Sequence, residues 1–203
     1  MKKILCCILL LSLTLSIISC GKKNREYDEY EVKTAAEILI RKSKTLNEVY
    51  WGAGIGYYED DNYSDGYYYP ADPMSLGNLG FETIEELKEK TEKVFSKEYC
   101  LSIYESSIVS DSDTDTSFRK RYYQGLECIM VYSKATALLT DKVTYLYDTI
   151  EVTGSDEKTV FVNISVTVER DGKTQERVIE VGLVEEADGW RIDTPTYVSY
   201  KTE

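Results

Sequence analysis

The chain has 203 residues, with 24 lysines and arginines against 36 aspartates and glutamates, a net charge of −12 and no histidine. This acidic balance repels phosphate and excludes nucleic acid as a favoured partner, while it suits a cationic cleft or protein surface. With no histidine, Ser-His-Asp and Cys-His catalysis and histidine-based metal sites are excluded together, so no residue is assigned a catalytic, cofactor-binding or metal-ligating role and the chain reads as a binder, not an enzyme.

Lys2 and Lys3 precede an apolar run from Ile4 to Ile18 that leads into Ser19-Cys20-Gly21. A cationic start, an apolar segment short for a bilayer span and a small residue before a cleavage point describe a signal peptide over residues 1–19. The apolar-x-Ser-Cys pattern resembles the bacterial lipobox, which implies that Cys20 carries a diacylglyceryl thioether and becomes the first residue of the mature protein. Several acyl chains, at roughly 0.8 kcal/mol per buried methylene, would hold the chain to the cell membrane, facing outside the cytoplasm. An ordinary signal peptide with an unmodified cysteine is the alternative.

Residues 20–31 are polar and read as a tether, and residues 32–203 suffice for one domain with a substantial core. Ala35, Ala36, Ile38, Leu39, Leu46, Val49 and Tyr50 recur at helical spacing from Val32 to about Tyr50. Trp51 to Gly80, rich in tyrosine, glycine and acids, reads as one long loop of the kind that is more often functional than incidental. Thr83-Ile84-Glu85-Glu86 fits a capping box before a helix carrying Ile84, Leu87, Thr91, Val94 and Phe95, and Ser96 can cap another carrying Tyr99, Leu101, Ile103 and Tyr104. Asp111, Asp113 and Asp115 alternate like the start of a calcium loop, but Thr116 stands where the sharp turn needs glycine and Tyr122 where the bidentate glutamate belongs, so a solvated loop is the better reading.

From Leu126 the period changes to two. Leu126–Tyr132, Lys142–Thr153, Thr159–Arg170, Thr174–Glu186 and Trp190–Ile192 read as strands, joined by turns at Gly154-Ser155-Asp156-Glu157, Asp171-Gly172 and Asp188-Gly189. Val160, Val162, Ile164, Val166 and Val168 share one face, which should be buried. Helices followed by an antiparallel meander make an α+β fold, a strongly curved sheet wrapped around the helices.

Two features carry candidate function. The stretch from Tyr57 to Pro70 combines rigid aromatic rings with carboxylates, and Glu59, Asp60, Asp61, Asp65, Tyr67 and Tyr68 are its candidate partner-binding residues. Tyrosines paving the edge of the core are the structural alternative. Cys100 and Cys128 remain after signal removal in a compartment where disulfides persist, and form either a disulfide or two buried thiols. Arg191, beside Trp190, can pair with a ligand carboxylate or with one of the chain's own acids.

Val49-Tyr50-Trp51-Gly52-Ala53-Gly54, the Tyr-Tyr-Tyr-Pro run ending at Pro70, Thr83-Ile84-Glu85-Glu86-Leu87-Lys88, Val94-Phe95-Ser96-Lys97-Glu98-Tyr99 and the closing Gly189-Trp190-Arg191-Ile192-Asp193-Thr194-Pro195-Thr196-Tyr197 occur in an order that resembles the IseA DL-endopeptidase inhibitor family. The closing strand also looks like that of NTF2-like exported lipoproteins. The resemblance implies a noncatalytic inhibitor of NlpC/P60-type cysteine peptidases that cleave peptidoglycan stem peptides, restraining autolysis of the cell wall. The lipid anchor departs from it. An NTF2-like module that binds a small molecule or peptide is the competing expectation, and needs a concave pocket lined by Trp51, Tyr123 or Trp190.

Overall fold

The computed structural model describes residues 26–59, 67–110 and 119–198. Cys20 and the lipobox, Asp60, Asp61, Asp65 and the Asp111/Asp113/Asp115 alternation lie outside them. The described chain runs α1 (Glu29–Tyr50), β1 (Tyr68–Pro70), α2 (Pro73–Leu79), α3 (Ile84–Glu92), α4 (Lys97–Ser107), β2 (Tyr122–Gln124), β3 (Ile129–Tyr132), β4 (Lys142–Ser155), β5 (Thr159–Arg170), β6 (Lys173–Glu186) and β7 (Gly189–Ile192). This is the α+β architecture expected. No helix among the described residues is long and apolar enough to cross a membrane.

Helix α1 begins three residues before Val32, inside the stretch read as tether. Asp28 causes this, because its carboxylate accepts from the Tyr30 and Glu31 amides and satisfies two of the free N–H groups of the first turn. Val32, Ala36, Leu39, Ile40, Leu46, Val49 and Tyr50 are buried, whereas Ile38 faces solvent. Thr83 caps α3 as expected, its hydroxyl accepting from the Glu86 amide at 3.2 Å. The Glu86 carboxylate returns to the amide of Glu82, one residue before the cap. Ser96 caps α4 through the Tyr99 amide, and its hydroxyl also donates to Asp193, tying that helix start to the segment after β7.

The strands β4-β5-β6-β7 form one antiparallel sheet in chain order. In β5, Val160, Val162, Ile164 and Val166 are completely buried and Val168 nearly so, alternating with half-buried Phe161, Asn163, Ser165 and Thr167. Each such aliphatic side chain contributes about 1.5–3 kcal/mol when taken fully out of water. Asp171 and Gly172 both adopt positive φ (49° and 71°), which a two-residue hairpin with the sheet's own twist requires. The preceding turn sits later than expected. β4 continues through Ser155, and the Asp156 carboxylate accepts from the Lys158 and Thr159 amides to reverse the chain. β4 forms the outer edge and carries two register shifts, after Leu146 and Val152, which bend and twist an otherwise long flat edge.

The remaining strands correct the single-sheet expectation. β3 leaves the meander and sits between β1 and β2 in a separate three-stranded antiparallel sheet. The expected strand from Leu126 starts only at Ile129, because Gly125 to Cys128 form the hairpin loop of β2 and β3, closed by the Gly125 amide on the Cys128 carbonyl, and leave Leu126 fully exposed. The long loop from Trp51 to Gly80 also contains β1 and the short helix α2, started by Asp72 and Pro73 and stopped at Gly80. Buried side chains from α1, α3, α4, both sheets and the Ile55 loop form one continuous core.

Candidate functional site

The two described ends of the tyrosine-rich segment are fixed on the small sheet. On the entering side, Tyr57 bridges to Ala71 and the Tyr58 amide donates to the Pro70 carbonyl at 3.3 Å. On the leaving side, Ser133 donates to the Tyr67 carbonyl through both its amide (2.9 Å) and its hydroxyl (3.0 Å). Tyr57 stacks on Tyr69 at 5.7 Å, and its hydroxyl donates to the Ser133 carbonyl. Tyr57, Tyr58 and Tyr67 keep more than a third of their surface open to solvent, and Glu59 is exposed. Tyr67 has two cations near its ring, the Arg119 guanidinium carbon 3.7 Å from its centre and the Lys134 ammonium 4.9 Å away. Both contacts are favourable charge–quadrupole interactions.

Tyr68 does the opposite of what the sequence suggested. It is buried, its hydroxyl donates to the Lys120 carbonyl at 2.7 Å, and its ring meets Tyr123 edge-on at 4.9 Å and Tyr132 at 5.4 Å. Side chains alternate across a strand, so in Tyr67-Tyr68-Tyr69 the middle ring goes inward as its neighbours stay accessible. Of the candidate residues, Glu59 and Tyr67 are presented at the surface, and Tyr68 anchors their base.

The loop before this edge is bolted down by two residues that the sequence did not single out. Tyr122 is fully buried; its hydroxyl donates to the Val49 carbonyl at 2.6 Å and accepts from the Ile55 amide at 3.1 Å. Burial raises its phenol above the ordinary tyrosine range. Arg121 donates to the carbonyls of Gly52 (3.1 Å) and Thr136 (2.8 Å). Gly54 has φ +82°, and a side chain there would come within 2.9 Å of both Arg121 and Tyr122, so the backbone passes close to the pair only as glycine. No pattern in the sequence marks these contacts, most of which join residues some 70 positions apart.

A second concave feature is a half-open cleft of about 270 Å³ beside the last turns of α1, closed by the segment from Leu138 to Tyr145 and by Tyr197 and Val198. None of Trp51, Tyr123 and Trp190 lines it. Trp51 is nearly buried against Tyr50 and Tyr197, Tyr123 packs on Tyr68, and the Trp190 indole donates to Glu31. At its back, Ser43, Asn47 and Tyr145 converge on Thr196: Ser43 Oγ at 2.7 Å and Asn47 Nδ2 at 2.9 Å from its hydroxyl, and the Tyr145 hydroxyl 2.7 Å from its carbonyl. Ser43 and Asn47, four residues apart inside the apolar stripe of α1, are a signal that the sequence did hold, since polar groups at buried helix positions demand partners.

Arg191 is committed to the fold. It is nearly buried, donating to the Glu92 and Trp190 carbonyls and to the Asp188 carboxylate. Cys100 and Cys128 are free thiols, so the disulfide left open by the sequence is not formed in this structure. Cys100 is buried with its sulfur 3.6 Å from the Phe95 carbonyl, and burial pushes its thiol up to about 11. Cys128, in the β2–β3 loop, lies 3.8 Å from the Met130 sulfur.

Comparison with known protein families gives no match, and comparison with curated proteins gives none either.

Proposed function

We propose that this chain is a lipoprotein anchored through Cys20 on the outer side of the cytoplasmic membrane, and that it acts by binding, as a noncatalytic inhibitor of cell-wall DL-endopeptidases of the NlpC/P60 type. The observation that carries the reading is the rigid base under the segment from Tyr57 to Tyr69. Tyr57, Tyr58, Glu59 and Tyr67 stand exposed on backbone fixed by β1, Ser133, Arg121 and Tyr122. Aromatic groups on a fixed frame lose little entropy on docking, and carboxylates beside them suit a peptidase cleft that accepts an acidic peptide. Glu59, Asp60, Asp61, Asp65 and Tyr67 form the contact in this reading, with Tyr68 as its anchor. The resemblance to the IseA family supplies the partner class, and the net charge of −12 favours steering toward a cationic cleft at low ionic strength.

The test is hydrolysis of purified peptidoglycan by an NlpC/P60 endopeptidase, with and without the chain from residue 20 onward carrying Cys20→Ser. Dose-dependent inhibition that weakens with salt supports the reading. No inhibition across a panel of such enzymes rejects it.

A further inference from the structure

The four-stranded sheet protects most of its free edge and leaves one stretch open. On one side, β4 is bent by its two register shifts. On the other, β7 is covered by the chain entering α4, where the Ile192 amide donates to the Val94 carbonyl and the Ser96 amide to the Ile192 carbonyl. β7 is short, however, and pairs only with residues 183–186 of β6. Over residues 173–181, β6 has β5 on one side and no described strand on the other. The register with β5 is unbroken there, and the stretch has no proline to blunt it.

In an antiparallel strand the amide and carbonyl of one residue point to the same side, and the side alternates along the chain. Gly182 fixes the phase. Its carbonyl accepts from the Asp193 amide at 2.8 Å and its amide donates to the Thr194 hydroxyl at 2.9 Å, both on the β7 side. Counting back in twos, Glu180, Val178 and Glu176 turn their amides and carbonyls to the open edge, and no described group bonds them there. All three residues are exposed, Val178 to 62%. Their side chains share one face of the sheet, an apolar group between two carboxylates. Neither Glu176 nor Glu180 forms an ion pair with a described residue.

A second copy does not fit this edge. Two-fold pairing centred on Val178 sets each Glu176 against a Glu180, and pairing centred on Arg177 sets two guanidinium groups opposite each other. Centred on Ile179, the added strand runs into Asp193 and Thr194, which already occupy the edge at Gly182. The complement is a strand with cations at two positions four apart and an apolar residue midway. On the opposite face Arg177, which donates to Gln175 at 3.2 Å, adds a place for an acid.

We propose that the open edge of β6 is a second interaction surface, which takes an extended segment of a partner protein as an added antiparallel strand, with lysine or arginine opposite Glu180 and Glu176 and an apolar residue opposite Val178. The free amides and carbonyls supply affinity, and the alternate side chains supply selectivity. The surface shares no residue with the tyrosine edge and stands independently of the inhibitor reading.

The test uses the chain from residue 20 onward with Cys20→Ser, which keeps every core residue, and the peptide acetyl-Thr-Thr-Lys-Thr-Val-Glu-Lys-Thr-Thr-amide. One relative has glutamate for both lysines, and another has methyl groups on the backbone nitrogens of both lysines. Titration followed by NMR should give saturable shifts over residues 174–182 and slow hydrogen exchange at the Glu176, Val178 and Glu180 amides. The parent peptide should bind at least about tenfold more tightly than either relative, because the first turns attraction into repulsion and the second removes edge hydrogen bonds. Glu176→Lys combined with Glu180→Lys, both at exposed positions, should reverse the preference between the lysine and glutamate peptides and leave the melting temperature unchanged. No saturable shift, equal affinity for the three peptides, shifts centred elsewhere, or a preference untouched by the double substitution would overturn the proposal. Slow exchange at these amides in the chain alone would give the edge to a second copy or to the chain's own tail, and would overturn it too.

Discussion

The two sheets are built by different physics. In the β4-β5-β6-β7 meander, stability comes from a dry aliphatic face, with Val160, Val162, Ile164 and Val166 of β5 and Val181 and Leu183 of β6 wholly removed from water. In the β1-β3-β2 sheet, the strands have three or four residues each; Ile129, Met130 and Val131 of the middle strand are buried as in the meander, and tyrosine hydroxyls, ring contacts and Arg121 add an aromatic, hydrogen-bonded frame through Tyr68 and Tyr122. A hydrogen-bonded aromatic frame suits the base of a surface segment, because each tyrosine can bury its ring and still leave a polar tip or an exposed neighbour.

If this contrast is right, substitutions in the two regions should fail differently. Ile164→Ala, in the wholly buried row, should cost about 2–5 kcal/mol in denaturant unfolding and destabilise the whole molecule cooperatively. A loss below 1 kcal/mol would break the account of the meander. Tyr122→Phe keeps the ring but strands the Ile55 amide, and should cost about 1–3 kcal/mol. Its signature is local: faster hydrogen exchange at Gly54 to Tyr57, with β5 protection falling only by the global amount.

The tyrosine hydroxyls also make alkali a probe. Burial raises the phenol of Tyr145 from its ordinary 10.0 to about 12, with the neighbouring Tyr147 and Glu48 adding to the shift. Below pH 10 folded and unfolded chains both hold that proton and its contribution is complete; above it the unfolded chain releases the proton first, so stability falls as pH rises toward 12. The slope from this group is at most about 1.4 kcal/mol per pH unit, and Tyr145→Phe should flatten it by that share in pH-dependent melting. The smallest effect concerns the thiols. Cys100, buried and held up to about 11, should resist alkylation by iodoacetamide at neutral pH until the chain unfolds, while part-exposed Cys128 reacts in the native state. Equal rates would contradict the burial assigned to Cys100.

The same contrast explains what could be read from the residues. Strand β5 and its Asp171-Gly172 hairpin are legible because alternation over a dozen residues and a turn pair that accepts positive φ are local signals, and the caps at Thr83 and Ser96 likewise act within three residues. β1 and β2 are too short to show a period, and their pairing with β3 is set by tyrosines whose partners lie far off in sequence. Helix α2 buries only Leu76, so no apolar pattern marked it and its segment read as loop. The tether boundary failed for a local reason, the cap at Asp28, and Tyr68 failed because strand alternation was not applied to a segment taken as loop.

In the proposed function the acidic tyrosine segment binds while the rest of the molecule holds it. The most direct test combines Glu59→Gln, Asp60→Asn, Asp61→Asn and Asp65→Asn in one variant and measures its affinity for the inhibited endopeptidase alongside its melting temperature. Affinity should fall, most strongly at low salt, with the melting temperature unchanged. Unchanged affinity would contradict the claim and move the contact elsewhere on the surface.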